Sequence, residues 1–421
     1  MFAIGFRCGR CGAAYGLEEV RYVCPRDGAE GTLDVVYDEA ALRRALTPEV
    51  LRRHSDRSMW RYGPLLPVRS ETLDRLGDAG LVQTVGWTPL IRAVRTERRL
   101  GLRGVYVKDD GRNPTGSFKD RASALVALKA IEAGAAVVTT ASSGNAAAAL
   151  AGMAAALGLR TVIFVPASAP AAKVAQLLIY GARVYLVEGS YDQAFDLTLA
   201  AAEAFGWYCR NTAYNPFTRE GKKTAAYEIW EQLGGRAPDR VFVAVGDGNI
   251  LTGLWKGFRD LAALGWIERV PALMGVQAAG AAPLARAWAE GHAAVVPVVP
   301  QTLADSIAVG RPRDATFALR AVRETGGAFL TVSDEEILAA LRTLAREVGV
   351  FAEPSAAAAF AGLERAAREG RVGPDETVVV MSTGSGLKDI PAAVRAAGEP
   401  RRIPADPGAA LGRLAADLGE G

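Results

Sequence analysis

Asn113-Pro114-Thr115-Gly116-Ser117-Phe118-Lys119-Asp120 is the stretch on which the reading of this chain turns. A turn marked by Pro114 and Gly116 delivers a lysine to the start of a helical pattern over 119–133. A helix N-terminus and the apolar neighbour Phe118 both disfavour the charged amine, which makes Lys119 a better nucleophile and base. The competing reading is a solvated lysine paired with Asp120 or Asp110. Two glycine-punctuated motifs downstream favour the first: Ser142-Ser143-Gly144-Asn145 and Gly246-Asp247-Gly248-Asn249-Ile250.

Working outward, short runs rich in β-branched residues predict strands at 105–107, 136–140, 161–165, 183–187, 241–245, 273–277 and 377–381. Helical patterns at 119–133, 145–157, 171–180, 191–205 and 222–233 lie between them. Such alternation predicts an α/β chain whose parallel sheets carry helices on both faces. Ligands in these folds sit at the carboxyl ends of strands, where helix N-termini converge. Both glycine motifs fall at such junctions.

A phosphate dianion needs several backbone N–H donors and the positive end of a helix dipole. Gly246 and Gly248 let the backbone approach, and the run 251–264 supplies the helix. Taken alone, this loop is equally an ordinary tight turn. The Asp247 carboxylate is expected to turn away from a dianion and cap backbone amides. Ser142, Ser143, Gly144 and Asn145 offer hydroxyl, amide and N–H groups to a substrate carboxylate, and Asn145 can donate to a ring hydroxyl. Taken alone, they are a polar N-cap. A third loop, Ser382-Thr383-Gly384-Ser385-Gly386-Leu387-Lys388-Asp389, follows the last strand. A hydroxyl facing a pyridine nitrogen leaves it unprotonated, which suits elimination and replacement better than transamination. Together these parts are what an enzyme needs to hold pyridoxal phosphate. Lys119 forms the Schiff base, one loop cradles the phosphate, and another meets the ring and an amino-acid substrate.

The 421 residues are half hydrophobic, and 49 basic against 46 acidic side chains leave a net charge of +3. That balance gives no reason to expect nucleic acid or an anionic membrane. The longest apolar run, 146–159, falls short of a bilayer span, and the N-terminus has no secretory pattern. Four cysteines do not make a disulfide scaffold at this length, so a reducing cytoplasm is the expected setting. The two histidines, His54 and His292, lie near no motif, which argues against a Ser/His/Asp triad or a histidine metal centre. Cys8 and Cys11 form a C-x-x-C, followed by Cys24-Pro25-Arg26-Asp27. A full zinc ribbon would have a cysteine where Asp27 stands. Zinc held by Cys8, Cys11 and Cys24 is one reading, and a degenerate ribbon that folds without metal is the other.

With these residues in hand, the chain resembles the threonine synthases, fold-type-II pyridoxal-phosphate enzymes of the tryptophan synthase β-like group. The resemblance runs from about Cys8 to about Ala396. It is carried by Cys8-Gly9-Arg10-Cys11-Gly12, Met59-Trp60-Arg61-Tyr62, Gly86-Trp87-Thr88-Pro89-Leu90, the Lys119 motif and Ser142 to Asn145. Further along, Asn215-Pro216, Glu220-Gly221, Glu353-Pro354-Ser355-Ala356 and Thr383 to Asp389 extend it. It implies two doubly wound three-layer αβα domains behind a ribbon-like segment. The expected divisions are the ribbon at 1–30, an arm at 31–85, a large domain at 86–110 and 212–400, a mobile small domain at 111–211, and a tail at 401–421. It implies Lys119 as the Schiff-base lysine, with Phe118 beside it. Asn145 would meet the ring hydroxyl, Gly246, Asp247, Gly248, Asn249 and Ile250 the phosphate, and Thr383 the ring nitrogen.

The implied reaction converts O-phospho-L-homoserine and water to L-threonine and phosphate, in a homodimer. Thr115, Ser142, Ser143, Gly144, Asn145, Arg219 and Lys222 are the expected substrate contacts. The chain departs from the family twice. An arginine that often follows Asn-Pro-aromatic is Thr218, with Arg219 one residue later, and the histidine of Thr-Gly-His-Gly is Ser385. A rival on the same scaffold performs β-elimination or β-replacement on serine, threonine or phosphoserine, as dehydratases and cysteate synthase-like enzymes do.

Overall fold

The computed structural model describes residues 1–142, 144–167, 169 and 171–418. Strands β1 (Ala3–Cys8), β2 (Ala14–Tyr15) and β3 (Leu33–Tyr37) form an antiparallel three-stranded sheet in the order β2-β1-β3. Phe6 of β1 and Leu33 and Val35 of β3 are buried in one cluster. The cysteine segment thus completes its sheet with a strand that lies beyond residue 30.

Strands β4 (Leu90–Arg92) and β5 (Gly104–Asp109) open a second sheet. The chain then leaves it to build a four-stranded parallel sheet from β6 (Val137–Ala141), β7 (Arg160–Pro166), β8 (Arg183–Val187) and β9 (Tyr208–Cys209), ordered β8-β7-β6-β9. It returns with β10 (Arg240–Ala244), β11 (Ala272–Ala278), β12 (Ala328–Val332) and β13 (Thr377–Ser382). The resulting six-stranded sheet runs β12-β11-β10-β13-β5-β4, parallel except for the edge pair β4–β5. This is the expected α/β fold. Among the described residues, no helix is long and apolar enough to cross a membrane.

Central strands read as unbroken apolar runs because both faces are covered. Along β10, Val241 and Val243 pack with Leu251, Leu254 and Phe258 of the helix Asn249–Ala263. Phe242 and Ala244 face the other way, against Phe360 and Leu363 of the helix Pro354–Arg368.

A buried ionic network ties the helix Lys119–Glu132 to this sheet. Arg121 donates to Asp110 at 2.6 Å and to Glu228 at 2.8 Å, and Lys108 pairs with Glu228 at 2.7 Å. All four side chains are fully buried, with two cations against two carboxylates. Asp110 follows β5 and Glu228 lies on the helix Thr224–Gln232, so Arg121 fixes the Lys119 helix against both.

Candidate active site

Two backbone hydrogen bonds set Lys119 at the first position of its helix. The Phe118 N–H donates to the Thr383 carbonyl at 2.9 Å and the Ser385 N–H to the Gly116 carbonyl at 3.0 Å, which together bridge Ser117 to Gly384. The lysine therefore sits beside the loop that follows β13. Its amine is half-buried, and burial lowers its pKa, with the nearby Arg210 lowering it further. Glu353 and Asp247 act on it through space, with no ion pair to either among the described residues.

One cavity over Lys119 gathers Asn145, the stretch from Gly246 to Ile250, and Thr383. Gly248 takes φ +93, a left-handed value that suits glycine, and the helix Asn249–Ala263 starts immediately after it. That helix presents its unpaired first-turn N–H groups at the cavity wall. A Cβ on Gly246 would meet Val309 at 2.9 Å and one on Gly248 would meet Ala318 at 2.9 Å, so the cradle is bare backbone. Asp247 accepts the Arg313 N–H at 3.2 Å, and burial raises its pKa. Asn145 donates through Nδ2 to Glu353 Oε1 at 2.7 Å. That contact, with a longer one from the same Nδ2 to Ser306 Oγ at 3.4 Å, fixes the amide. Burial also raises the Glu353 carboxyl.

Ser142 and Gly144 line the same cavity, where Ser142 Oγ accepts the Gly144 N–H at 3.1 Å. Ser143 lies outside the described residues. Lys222 lines the cavity and donates to Asn249 Oδ1 at 2.6 Å. Phe118 and Thr115 stand behind the wall. Phe118 is buried under the Arg121 guanidinium at 5.5 Å, and the Thr115 N–H donates to Asp120 at 2.7 Å.

Arg219 is turned elsewhere, which corrects its expected place at the substrate. It pairs with Asp314 at 2.6 Å, reaches the Leu33 carbonyl of β3 at 3.1 Å, and lies over the Phe317 ring at 4.0 Å. Two carboxylates, Asp314 and Asp34, draw it away from the cavity. Thr218 is buried and closes a turn: its hydroxyl donates to the Asn215 carbonyl at 2.7 Å and accepts the Ala213 N–H at 3.3 Å. Ser385 caps Leu387 rather than lining the cavity. The sequence reading assigned no role to Glu353, Tyr191 or the stretch 305–309, all of which line it. Only Glu353 had a signal, the Glu353-Pro354-Ser355-Ala356 motif.

Residues 81–384 match the family described as pyridoxal-phosphate dependent enzyme. Over 403 residues the chain is 39% identical to a threonine synthase of Methanocaldococcus jannaschii, covering 95% of this chain and 96% of that one. The chain belongs to the threonine synthase family. A threonine synthase of Methanosarcina acetivorans is 40% identical, with 95% and 96% covered, and one of Synechocystis is 42% identical, with 80% and 84% covered. The threonine synthase fold extends to solved structures at lower identity. Threonine deaminase isoform 2 of Solanum lycopersicum superposes with a TM-score of 0.64 at 24% identity, covering 80% of this chain and 96% of that one. Maize serine racemase does so with 0.63 at 22%, covering 84% and 98%.

The cofactor common to the threonine synthase family fits the residues present. Its phosphate matches the bare backbone at Gly246 and Gly248, and its aldehyde matches an amine with no ion pair. The Asn145 amide and the Thr383 hydroxyl offer neutral donors to its ring. Away from this cavity, the ligand atoms of Cys8, Cys11, Cys24 and Asp27 lie within 4.8 Å of one another. The two halves match: the Gly12 N–H closes on the Cys8 carbonyl at 3.1 Å and the Gly28 N–H on the Cys24 carbonyl at 2.9 Å. The sulfurs of Cys11 and Cys24 are 3.7 Å apart. Tetrahedral zinc with bonds of about 2.3 Å sets sulfurs about 3.8 Å apart, so this geometry suits the ion.

Proposed function

We propose that this chain converts O-phospho-L-homoserine and water to L-threonine and phosphate. The observation that carries the reading is the half-buried Lys119 amine, without an ion pair, in one cavity with the Gly246 loop, Asn145 and Thr383. Pyridoxal phosphate, when bound, supplies an aldehyde for the substrate amine and a ring that spreads negative charge from the substrate carbons. Lys119 would be held by the Gly384 bridge beside that ring, and its lowered pKa leaves more of the amine neutral at working pH. It takes the proton from the substrate α carbon and then one from the β carbon, so that phosphate leaves from the γ carbon. Water adds at the β carbon. A Thr383 hydroxyl facing the ring nitrogen would leave it unprotonated, which would favour this replacement over transamination. Glu353 holds the Asn145 amide, which would meet the ring hydroxyl.

Residues 111–211 would form the small domain that closes over substrate, against a large domain of 86–110 and 212–400. The functional unit is read as a homodimer in a reducing cytoplasm. We read Cys8, Cys11 and Cys24 as zinc ligands, with Asp27 in the fourth position.

Product analysis of the cofactor-loaded protein tests the reading, with O-phospho-L-homoserine, L-threonine and L-serine in parallel. Threonine and free phosphate from the first are expected. A 2-oxo acid from the hydroxy amino acids, with phosphohomoserine untouched, would re-aim the site toward elimination. Lys119→Ala is expected to lose all turnover and the visible absorbance of the lysine-bound cofactor. An active variant would refute the assignment of Lys119.

A further inference from the structure

We propose that Arg210, with Thr212 in front of it, forms an anion subsite that takes the phosphate of the substrate. The proposal rests on reading the substrate as a phosphate monoester, and it deepens that reading by naming the cation that receives the leaving group.

The geometry around Arg210 is that of a charge kept for a ligand. The side chain is fully buried, directly after β9. Nε donates to Ser123 Oγ at 3.1 Å and Nη1 to Thr212 Oγ1 at 2.8 Å, while Nη2 has no partner among the described residues. Several other buried cations of the chain are met by carboxylates: Arg121 by Asp110 and Glu228, Arg219 by Asp314, and Lys223 by Glu220 and Asp260. Among the described residues Arg210, like the cavity lysine Lys222, has none. An unpaired buried charge is costly, and burial pulls this guanidinium down to about 10. Such a cost is tolerated where the missing partner arrives with the substrate.

Its surroundings say which side of the cavity the partner occupies. The Arg210 N–H donates to the Thr139 carbonyl at 2.8 Å, and Asn211 Oδ1 accepts the Ala141 N–H at 2.8 Å. Those contacts lock the segment to the end of β6, beside the loop from Ser142 to Asn145. Thr212 lines the Lys119 cavity, so the guanidinium stands one hydrogen bond behind its wall. Arg210 acts through space on both Lys119 and Lys222. The subsite therefore belongs to the four-stranded sheet, whereas the Gly246 loop of the six-stranded sheet is left for the cofactor phosphate.

The chemistry of the partner follows from the donors. Asn211 Nδ2 is, like Arg210 Nη2, a buried donor without an acceptor among the described residues. A negatively charged ligand that only accepts hydrogen bonds, seated at Thr212, complements this donor-rich segment. Arg210 supplies a positive charge with no carboxylate in ion-pair contact, and Lys222, whose pKa burial lowers, stands in the same cavity wall as a further donor, a set that suits an anionic phosphate. Nε and Nη1 are engaged by Ser123 and Thr212, so Thr212 at the wall and the Nη2 donor behind it are what remains for a phosphate oxygen. Thr218 supports the same segment: its hydroxyl accepts the N–H of Ala213 (φ +64), next to Thr212.

The test titrates the cofactor-loaded protein with inorganic phosphate by calorimetry and measures steady-state constants for O-phospho-L-homoserine. Wild type, Arg210→Met and Arg210→Lys are compared. Arg210→Met is expected to weaken phosphate binding and raise KM by about 10- to 100-fold, the size of a charge-assisted contact. Cofactor affinity should stay unchanged. Arg210→Lys, which keeps the charge and loses the guanidinium's separate donors to Ser123 and Thr212, should fall between. Unchanged phosphate affinity in Arg210→Met would overturn the subsite. If that variant does not fold, unchanged affinity in Arg210→Lys does the same. A wild type that makes threonine while Arg210→Met keeps its KM would overturn the subsite and leave the reaction standing. A wild type that binds phosphate through Arg210 but makes no threonine would do the reverse.

Discussion

Asp120 adjoins Lys119 in sequence yet faces away from it, accepting the N–H and the hydroxyl of Thr115. Burial pushes its carboxyl from an ordinary 3.8 up to about 6 in spite of those donors. The folded protein therefore keeps a proton there over a range in which the unfolded chain has lost it. Stability from this group is full below about pH 4 and is lost as the pH rises through 6. Asp120→Asn has nothing to titrate. Between pH 4 and 7 the wild type is expected to lose about 3 kcal/mol relative to the variant, read from denaturant midpoints. Parallel midpoints across that range would refute it. At this scale the sequence was legible where spacing carried the information. Lys119, Asn145, the Gly246 loop and Thr383 each follow a glycine turn or a strand end, and the cavity gathers them. It was not legible where direction is set from afar. Nothing near Arg219 in sequence announces Asp314, some 95 residues on, which turns its guanidinium away. Nothing near Arg210 announces that it stands behind Thr212.

Among the elements, the seven runs read as strands between 105 and 381 are all in the sheets. The strands β1 and β3 of the ribbon sheet and the strands β4, β9 and β12 were not read. β9 has two residues and β4 three, too few for any period to show, and β12 follows the pair Gly326-Gly327, which reads as a loop. Partners elsewhere in the sheet hold these strands rather than their own propensity. The Lys119 helix depends on tertiary contact in the same way, through the buried Arg121. Replacing Arg121 with methionine keeps the bulk but leaves Asp110 and Glu228 sharing Lys108 alone. We expect a loss of about 3–5 kcal/mol in folding stability, the usual cost of breaking a buried ion pair from one side. Thermal or chemical denaturation of the cofactor-free protein measures it, and a loss below about 1 kcal/mol would show that the network is dispensable.

Across the whole molecule, the ribbon sheet and the Gly246 loop share one strut. Arg219 joins the Leu33 carbonyl of β3 to Asp314, and Asp314 accepts from Asn249 Nδ2 at 2.7 Å and gives its own N–H to the Asp247 carbonyl at 2.9 Å. Arg320 adds a second tie, to the Gly9 carbonyl at 2.7 Å. If zinc holds the ribbon, elemental analysis should find about one zinc per chain, absent from Cys24→Ser. The metal-free protein should then need more pyridoxal phosphate for half-saturation. Identical saturation with and without metal would sever the strut from cofactor binding. The interrupted six-stranded sheet has a further consequence, for the chain as it is made. β5 pairs with β13, about 270 residues later, so at roughly 5–20 residues per second of synthesis its neighbour is missing for on the order of 10 to 50 seconds. The four-stranded sheet is complete in sequence by Cys209 and can close early. The nascent chain thus carries the open edge of β5, with Val105 and Val107 uncovered, through most of translation. That edge has to be sheltered from neighbouring nascent chains until the last tenth of the polypeptide leaves the ribosome.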